Sequence, residues 1–142
     1  MRLPGFITRL RFRVFPPKTL GRRGEEAAAR FLKRLGYKIL ARSRRLAPGE
    51  LDLVALDGRT IVFVEVKTRT SADVGHPAEA VDAIKQRKLT RLAVTFLKRH
   101  GLLDYPARFD VVAITWPDRG GRPVIEHYKN AFDAVGEGEL YS

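Results

Sequence analysis

Two short runs constrain this chain more than any other part of it: Gly49-Glu50-Leu51-Asp52-Leu53-Val54 and Phe63-Val64-Glu65-Val66-Lys67. Each reads as a buried strand with charge inserted into it. In the second, Val62, Val64 and Val66 fall on one face by the two-residue alternation of a strand, and Phe63, Glu65 and Lys67 on the other. A buried charge left without a partner costs about 3–5 kcal/mol. A strand that carries an acid and then a lysine two places on therefore needs a partner, a metal ion or a catalytic role to account for it.

The segment between the runs, Leu56-Asp57-Gly58-Arg59-Thr60, is a tight-hairpin sequence. An Asp57-Gly58 turn of type I′ sets Asp52 opposite Phe63, with Glu65 on the adjacent diagonal. A Gly58-Arg59 turn of type II′ sets Asp52 opposite Glu65. Either turn keeps Asp52, Glu65 and Lys67 on one face, whereas a three-residue loop breaks that parity. Opposed Cβ atoms sit roughly 4.5–5.5 Å apart, where like charges repel. Two carboxylates held that close need a cation between them or a raised pKa. A hard divalent ion with oxygen ligands, Mg²⁺ or Mn²⁺, is the economical answer. The alternative is a structural Asp–Lys or Glu–Lys ion pair on a half-exposed sheet, but Phe63 and Leu56 flanking the acid weigh against it.

The length of 142 residues suits one domain with a real core, and no apolar run approaches a membrane span. The chain has no cysteine, which excludes disulfides and thiolate zinc sites and fits a cytoplasmic protein. His76, His100 and His127 are scattered without metal-ligand spacing. No pattern points to an organic cofactor. The net charge of +11 is unevenly placed. Residues 1–49 carry 14 lysines and arginines against Glu25 and Glu26, whereas the rest of the chain is nearly balanced. Such asymmetry points to a polyanion, nucleic acid or an anionic membrane surface.

Along the chain, residues 1–19 hold five basic residues and no acid before and after the Pro16-Pro17 break, and read as a flexible basic extension. Their apolar stretches are too short for a secretory signal, although a transit segment is also arginine-rich. Residues 20–35 predict a helix with an apolar stripe of Ala28, Leu32 and Leu35, closed by Gly36. Glu25 points toward the core side of that stripe and Glu26 toward water. Residues 37–46 predict a first strand, and 50–67 the hairpin. After a polar loop at 68–77, Pro77 opens a helix over about 78–99, with Val81, Ile84, Leu92 and Phe96 as its stripe and Lys85 and Lys88 on or beside it. Residues 108–115 read as a buried strand and 123–128 as an edge strand. Phe132 packs the end of a domain spanning 20–135, and residues 136–142 read as frayed. The order of helix, three strands, helix, strand and an extra edge strand is an α/β domain of two or three layers around a mixed sheet flanked by helices.

An acid on the first helix, Asp at the start of a strand and Glu-x-Lys on the next together resemble the restriction-endonuclease-like fold and its PD-(D/E)xK signature. The resemblance implies that Asp52 and Glu65 bind Mg²⁺ and that Lys67 assists an attacking water. Glu25 matches the first-helix acid of archaeal Holliday-junction resolvases, which share this order. The longer runs GRRGEEAAARFLKRLGYKILARSRR, GELDLVALDG, IVFVEVKTR, VGHPAEAV, IKQRKL, RFDVVAI and IEHYKNAF are similar to the YraN-like family of uncharacterised bacterial proteins, over about residues 21–133. That family often has Asn where Ser43 stands.

The leading expectation is a metal-dependent endonuclease acting on DNA, branched or single-stranded. Asp52 and Glu65 hold the ion, with Glu25 and Glu50 completing the shell, and Lys67 orients water or stabilises phosphate oxygens. Glu50 reads equally as a solvated acid at the start of its strand. The candidates for phosphate contact are Arg22, Arg23, Arg44, Arg45, Thr68, Arg69, Lys85, Gln86 and Lys88. Junction-cleaving relatives act as dimers, so a homodimer belongs to the same expectation. A second reading is a non-catalytic nucleic-acid-binding module on a nuclease-like fold. A third, a partner protein at a membrane surface, rests on residues 1–19 and their Phe6, Phe12 and Phe15.

Overall fold

The computed structural model describes residues 19–47, 49–71 and 81–135. The expected basic extension, except for Thr19, and the expected frayed residues 136–142 lie outside them, as do Pro77 and His76. Helix α1 (Leu20–Arg34) is followed by strands β1 (Lys38–Leu46), β2 (Gly49–Asp57) and β3 (Thr60–Thr70). Helix α2 (Ala83–Arg99), strand β4 (Ala107–Trp116) and strand β5 (Val124–Phe132) complete the order.

The five strands form one mixed sheet in the order β1-β2-β3-β4-β5. Only β3 and β4 run parallel. A parallel pair needs a long crossover, and α2 supplies it. Two cores lie on opposite faces. Ala27, Ala28, Ala29 and Leu32 of α1 pack on Leu53, Val62, Val64, Val112 and Ile114. Leu89, Leu92, Phe96 and Leu97 of α2 pack on Leu51, Val54, Ile61, Phe63 and Phe109. The result is three layers, helix on sheet on helix, compatible with a restriction-endonuclease-like α/β fold.

Local chemistry sets the element ends. Thr19 caps α1 by accepting the Arg22 N–H at 3.1 Å. Gly36, at φ 96, ends it in the left-handed conformation that glycine tolerates, and the Tyr37 N–H then returns to the Leu32 carbonyl at 3.0 Å. Leu35 does not join the apolar stripe expected of it. It is the C-cap residue and 53% exposed, and buried Tyr37 takes the inward place.

The second helix starts later than its periodicity suggests. Asp82 accepts the Lys85 N–H at 2.8 Å and so fixes the first turn at Ala83. Val81 is buried ahead of the helix rather than within it, and Ile84, expected on the stripe, is 72% exposed. Leu89, Ala93 and Leu97 take up the burial instead.

The hairpin turns at Gly58-Arg59, with Asp57 paired to Thr60 and Gly58 at φ 63. This is the type II′ alternative, and the apolar pairs explain it. It sets Leu56 against Ile61, Ala55 against Val62 and Val54 against Phe63, whereas the type I′ register faces Leu56 with Arg59. The edge strand β5 runs to Phe132 rather than to Tyr128, because a bulge re-forms the ladder. Asn130, at φ 50, donates its N–H to Asp110 Oδ1 at 2.9 Å, and Phe132 then stacks on Phe109 with centroids 4.7 Å apart.

Candidate metal centre and nucleic-acid interface

Strands β2 and β3 pair in register as far as Leu53 and Val64. Beyond that point a side chain replaces the ladder. The Val66 N–H donates to Asp52 Oδ2 at 2.9 Å, so this carboxylate serves the N–H in place of a backbone carbonyl. The alternation of β2 slips at the same place. Leu51 and Val54 pack on the α2 side, but Leu53 and Ala55 on the α1 side. Asp52 stands at the slip, half-buried, with its carboxylate turned toward β3.

Two further acids meet it there. Carboxylate oxygens of Glu25, Glu50 and Asp52 all lie within 4.8 Å of one another. Glu25 reaches from the second turn of α1 and is held by the Ser43 hydroxyl, which donates to Oε1 at 2.7 Å. Ser43 aims that hydroxyl from a left-handed backbone at φ 45. Ser is uncommon in that conformation, which Asn adopts more readily. Glu50 is exposed and lines, with Arg45, Ala47 and Gly49, an open cleft of about 710 Å³.

Glu65 is 6% exposed and meets two lysines. Lys85 Nζ lies 2.7 Å from Oε2, and Lys67 Nζ 3.8 Å from the same oxygen. Lys85 stands in the first turn of α2, where the helix dipole disfavours a cation, and the Glu65 charge offsets that. Burial would lower the pKa of Lys85, but the hydrogen bond and charge of Glu65, then the charge of Asp52, hold it above the ordinary lysine value. Burial first, and then the charges of Glu65 and Glu25, push Asp52 up to about 7, against the stabilising Val66 N–H. Below about pH 7, therefore, a proton on Asp52 relieves the repulsion among these acids. The donor set is all carboxylate oxygen, which suits a hard divalent ion such as Mg²⁺ or Mn²⁺.

The remaining sequence candidates divide by position. Arg45 lines the cleft beside Glu50. Lys88 is exposed, and its Cε crosses Gly49 so closely that a Cβ there would lie 2.9 Å from it. Gln86 is turned to the Val81 carbonyl, donating at 2.9 Å. Thr68 packs against buried Gly24, where any side chain would collide with the Thr68 hydroxyl. Arg69 donates to Thr115 Oγ1 at 3.2 Å, and Arg23 lies 4.3 Å over the Trp116 ring, so both are drawn toward the end of β4. Arg22 is exposed on α1. Arg44 is exposed on β1 and lines a separate hollow with Leu40, Phe96 and His100.

Sequence reasoning did not single out Asp110, the fully buried acid among the described residues. It accepts from Arg108 Nε at 2.9 Å and from the Asn130 N–H, and His127 Nε2 lies 2.8 Å from its Oδ2. Arg108 extends the network to Asp57 at 3.1 Å and to the Tyr37 hydroxyl at 2.9 Å. Burial alone would raise Asp110, but His127, Arg108 and Asn130 hold it below its ordinary pKa. This network ties β5, the hairpin turn and the end of α1 to β4. The signal was the one used for Glu65, an acid inside a buried strand, here in Arg108-Phe109-Asp110-Val111-Val112. Ser43 gave no such signal, because its role depends on the fold bringing β1 to Glu25.

A family model described as "Uncharacterised protein family UPF0102" matches residues 24–114, a span that holds Glu25, Asp52, Glu65 and Lys67. A UPF0102 protein of Rhodopirellula baltica is 51% identical over 125 residues, covering 86% of this chain and 75% of the relative. One from Geobacter metallireducens is 52% identical over 116 residues, covering 82% and 93%. One from Symbiobacterium thermophilum is 50% identical over 117 residues, covering 82% and 98%. At that identity and coverage, the chain belongs to the uncharacterised UPF0102 family, the YraN-like proteins.

Proposed function

We propose that this protein is a divalent-metal-dependent nuclease that hydrolyses phosphodiester bonds of DNA, in branched or single-stranded form. The observation that carries the reading is the meeting of Glu25, Glu50 and Asp52, beside a Glu65 that faces Lys67 and Lys85. Two helices and two strands contribute one acid or lysine after another to a single place, at the mouth of an open cleft. Asp52, Glu25 and Glu50 would hold Mg²⁺ or Mn²⁺, with Glu65 adjoining them. The bound ion would supply charge neutralisation at the scissile phosphate and an acidified water. Lys67 stabilises the phosphate oxygens or orients the water, and its pairing with Glu65 keeps its ammonium group at the site. Arg45 and Lys88 flank the cleft and attract the strand electrostatically. A homodimer and a cytoplasmic location belong to this reading. No helix among the described residues is long and apolar enough to cross a membrane.

A second reading, a nucleic-acid-binding module without catalysis, is favoured by one observation. Lys85 already occupies Glu65 at 2.7 Å and neutralises it without an ion. The two readings separate in a cleavage assay of junction, flap, single-stranded and duplex DNA with Mg²⁺ or Mn²⁺. The nuclease reading expects metal-dependent cleavage that Asp52→Asn and Glu65→Gln abolish. Absence of cleavage with every substrate and both metals, or cleavage that persists in both variants, sinks it.

A further inference from the structure

The exposed side of α1 carries a feature that the acid cluster does not use. Arg30 and Arg34 stand one turn apart, and Arg122, from the segment between β4 and β5, comes up against them. With Ala27, Pro123 and Ile125 they line a cleft of about 510 Å³ that contains no carboxylate among the described residues. All three arginines are exposed, and among the described residues none makes an ion pair or side-chain hydrogen bond. Three guanidinium groups converging with no described acid paired to them repel one another, and an anion is the natural complement. A guanidinium fork matches phosphate oxygens in a bidentate way that a lysine does not.

The placement narrows the choice of anion. At 100° per residue, Arg34 lies 180° round α1 from Glu25, so the helix separates this cleft from the acid cluster. Arg23, seven residues before Arg30, continues the same stripe toward the start of α1 and is braced over Trp116. From Arg23 to Arg34 the stripe runs about 16 Å along the helix. A small anion would engage one end of it. A chain of phosphates engages its whole length, and about five nucleotides of one strand span that distance.

We infer that the Arg30–Arg34–Arg122 cleft binds the phosphate backbone of a nucleic-acid segment lying on the far side of α1 from the acid cluster. The inference deepens the nuclease reading and rests on it for the identity of the polyanion. It adds that the substrate has a second arm, or a strand long enough to pass the start of α1, so that one part meets the acids while another lies in this cleft.

The test is fluorescence anisotropy with the full chain, a 30-base-pair duplex and a four-way junction, over 50–200 mM salt without divalent metal. Arg30→Ala/Arg34→Ala/Arg122→Ala is expected to make the slope of log K against log salt shallower by about 2–3, at about 0.9 for each phosphate no longer neutralised. Affinity is expected to fall by about 10²-fold near 0.1 M salt. A control that removes three exposed charges from α2, Arg91→Ala/Lys98→Ala/Arg99→Ala, should change the slope by less than about one. Arg34→Glu alone should lower affinity in the same direction, and circular dichroism checks that each variant folds. If the parent binds and cleaves but the cleft variant keeps its slope, or both triple variants weaken binding equally, the cleft is overturned and the nuclease reading stands. A parent that binds no nucleic acid at any salt overturns both.

Discussion

The sharpest test of the acid cluster is its response to pH. Asp52 is pushed up to about 7 from an ordinary 3.8, by burial and then by Glu65 and Glu25. Between those values the folded protein keeps a proton that the unfolded chain has lost, so without metal its stability falls as pH rises from about 4 and levels off above about 7. Converted directly, the shift corresponds to about 4 kcal/mol, an upper figure because Asp52 is only half-buried and keeps some solvent screening. A cation binding among Glu25, Glu50 and Asp52 must displace that proton. Its apparent affinity should therefore rise about tenfold per pH unit below 7, by about 50-fold from pH 5 to pH 7, and then flatten. Calorimetry with Mn²⁺ in two buffers of different ionisation heat measures this directly. About 0.9 proton should be released per ion at pH 6 and about 0.1 at pH 8. Asp52→Asn keeps an acceptor for the Val66 N–H but removes the charge. It should abolish the pH dependence and most of the binding, and should stabilise the metal-free protein at pH 8 by about 1–3 kcal/mol in urea unfolding. Mn²⁺ affinity that is flat from pH 5 to pH 7 with no proton released, or undiminished in Asp52→Asn, would refute the argument.

Three further outcomes are expected. Lys67→Ala should leave DNA affinity within about threefold, as one charge among many, and reduce metal-dependent cleavage by roughly 10²-fold; equal losses in both would make Lys67 a ground-state contact. Asp110→Ala leaves His127 and the Asn130 N–H without their acceptor and Arg108 with only Asp57 and Tyr37, and should cost about 3–5 kcal/mol in denaturant unfolding. Because Asp110 is held below its ordinary pKa, its contribution is present above about pH 4 and fades as pH falls through the folded-state value, which acid titration of the parent and the variant compares. Gly24→Val drives a side chain into Thr68 where α1 meets β3, so a loss of about 1–3 kcal/mol is expected, and a variant as stable as the parent would show that α1 can shift.

The hairpin was legible because two physical signals coincide in it, a turn residue free to take positive φ and apolar residues that pair only in certain registers. The sequence left two turns open. The pairing of Leu56 with Ile61 and Val54 with Phe63 separates them, and that depends on a register no single position reveals. Helix periodicity served well within α1 and α2 and failed at their ends. Leu35 and Ile84 continue the apolar spacing but sit where the chain is already turning, one at a C-cap and one in a first turn held out by the Asp82 cap. Long-range partnerships were less visible. That Lys85 reaches Glu65, that Ser43 seats Glu25, and that Arg122 joins Arg30 and Arg34 all depend on segments brought together from different parts of the chain.

An acid in a buried strand is therefore an incomplete signal, and Glu65 and Asp110 show what completes it. Asp110 is fully buried and fully answered by Arg108, His127 and a backbone N–H, so its charge is balanced within the protein and its pKa is held down. The acids of the other group are answered only in part. Glu65 has Lys85 and, more distantly, Lys67, but Asp52 has one N–H bond and three acidic neighbours, Glu25, Glu50 and Glu65, and its pKa rises. A fold selected for stability alone would close that second group as it closes the first, since one more arginine among Glu25, Glu50 and Asp52 would relieve the repulsion. Instead the cluster opens onto a cleft, with its unbalanced negative charge at the surface of a strongly basic protein. That difference in charge balance, more than the presence of acids in strands, separates the structural network around Asp110 from the candidate site around Asp52.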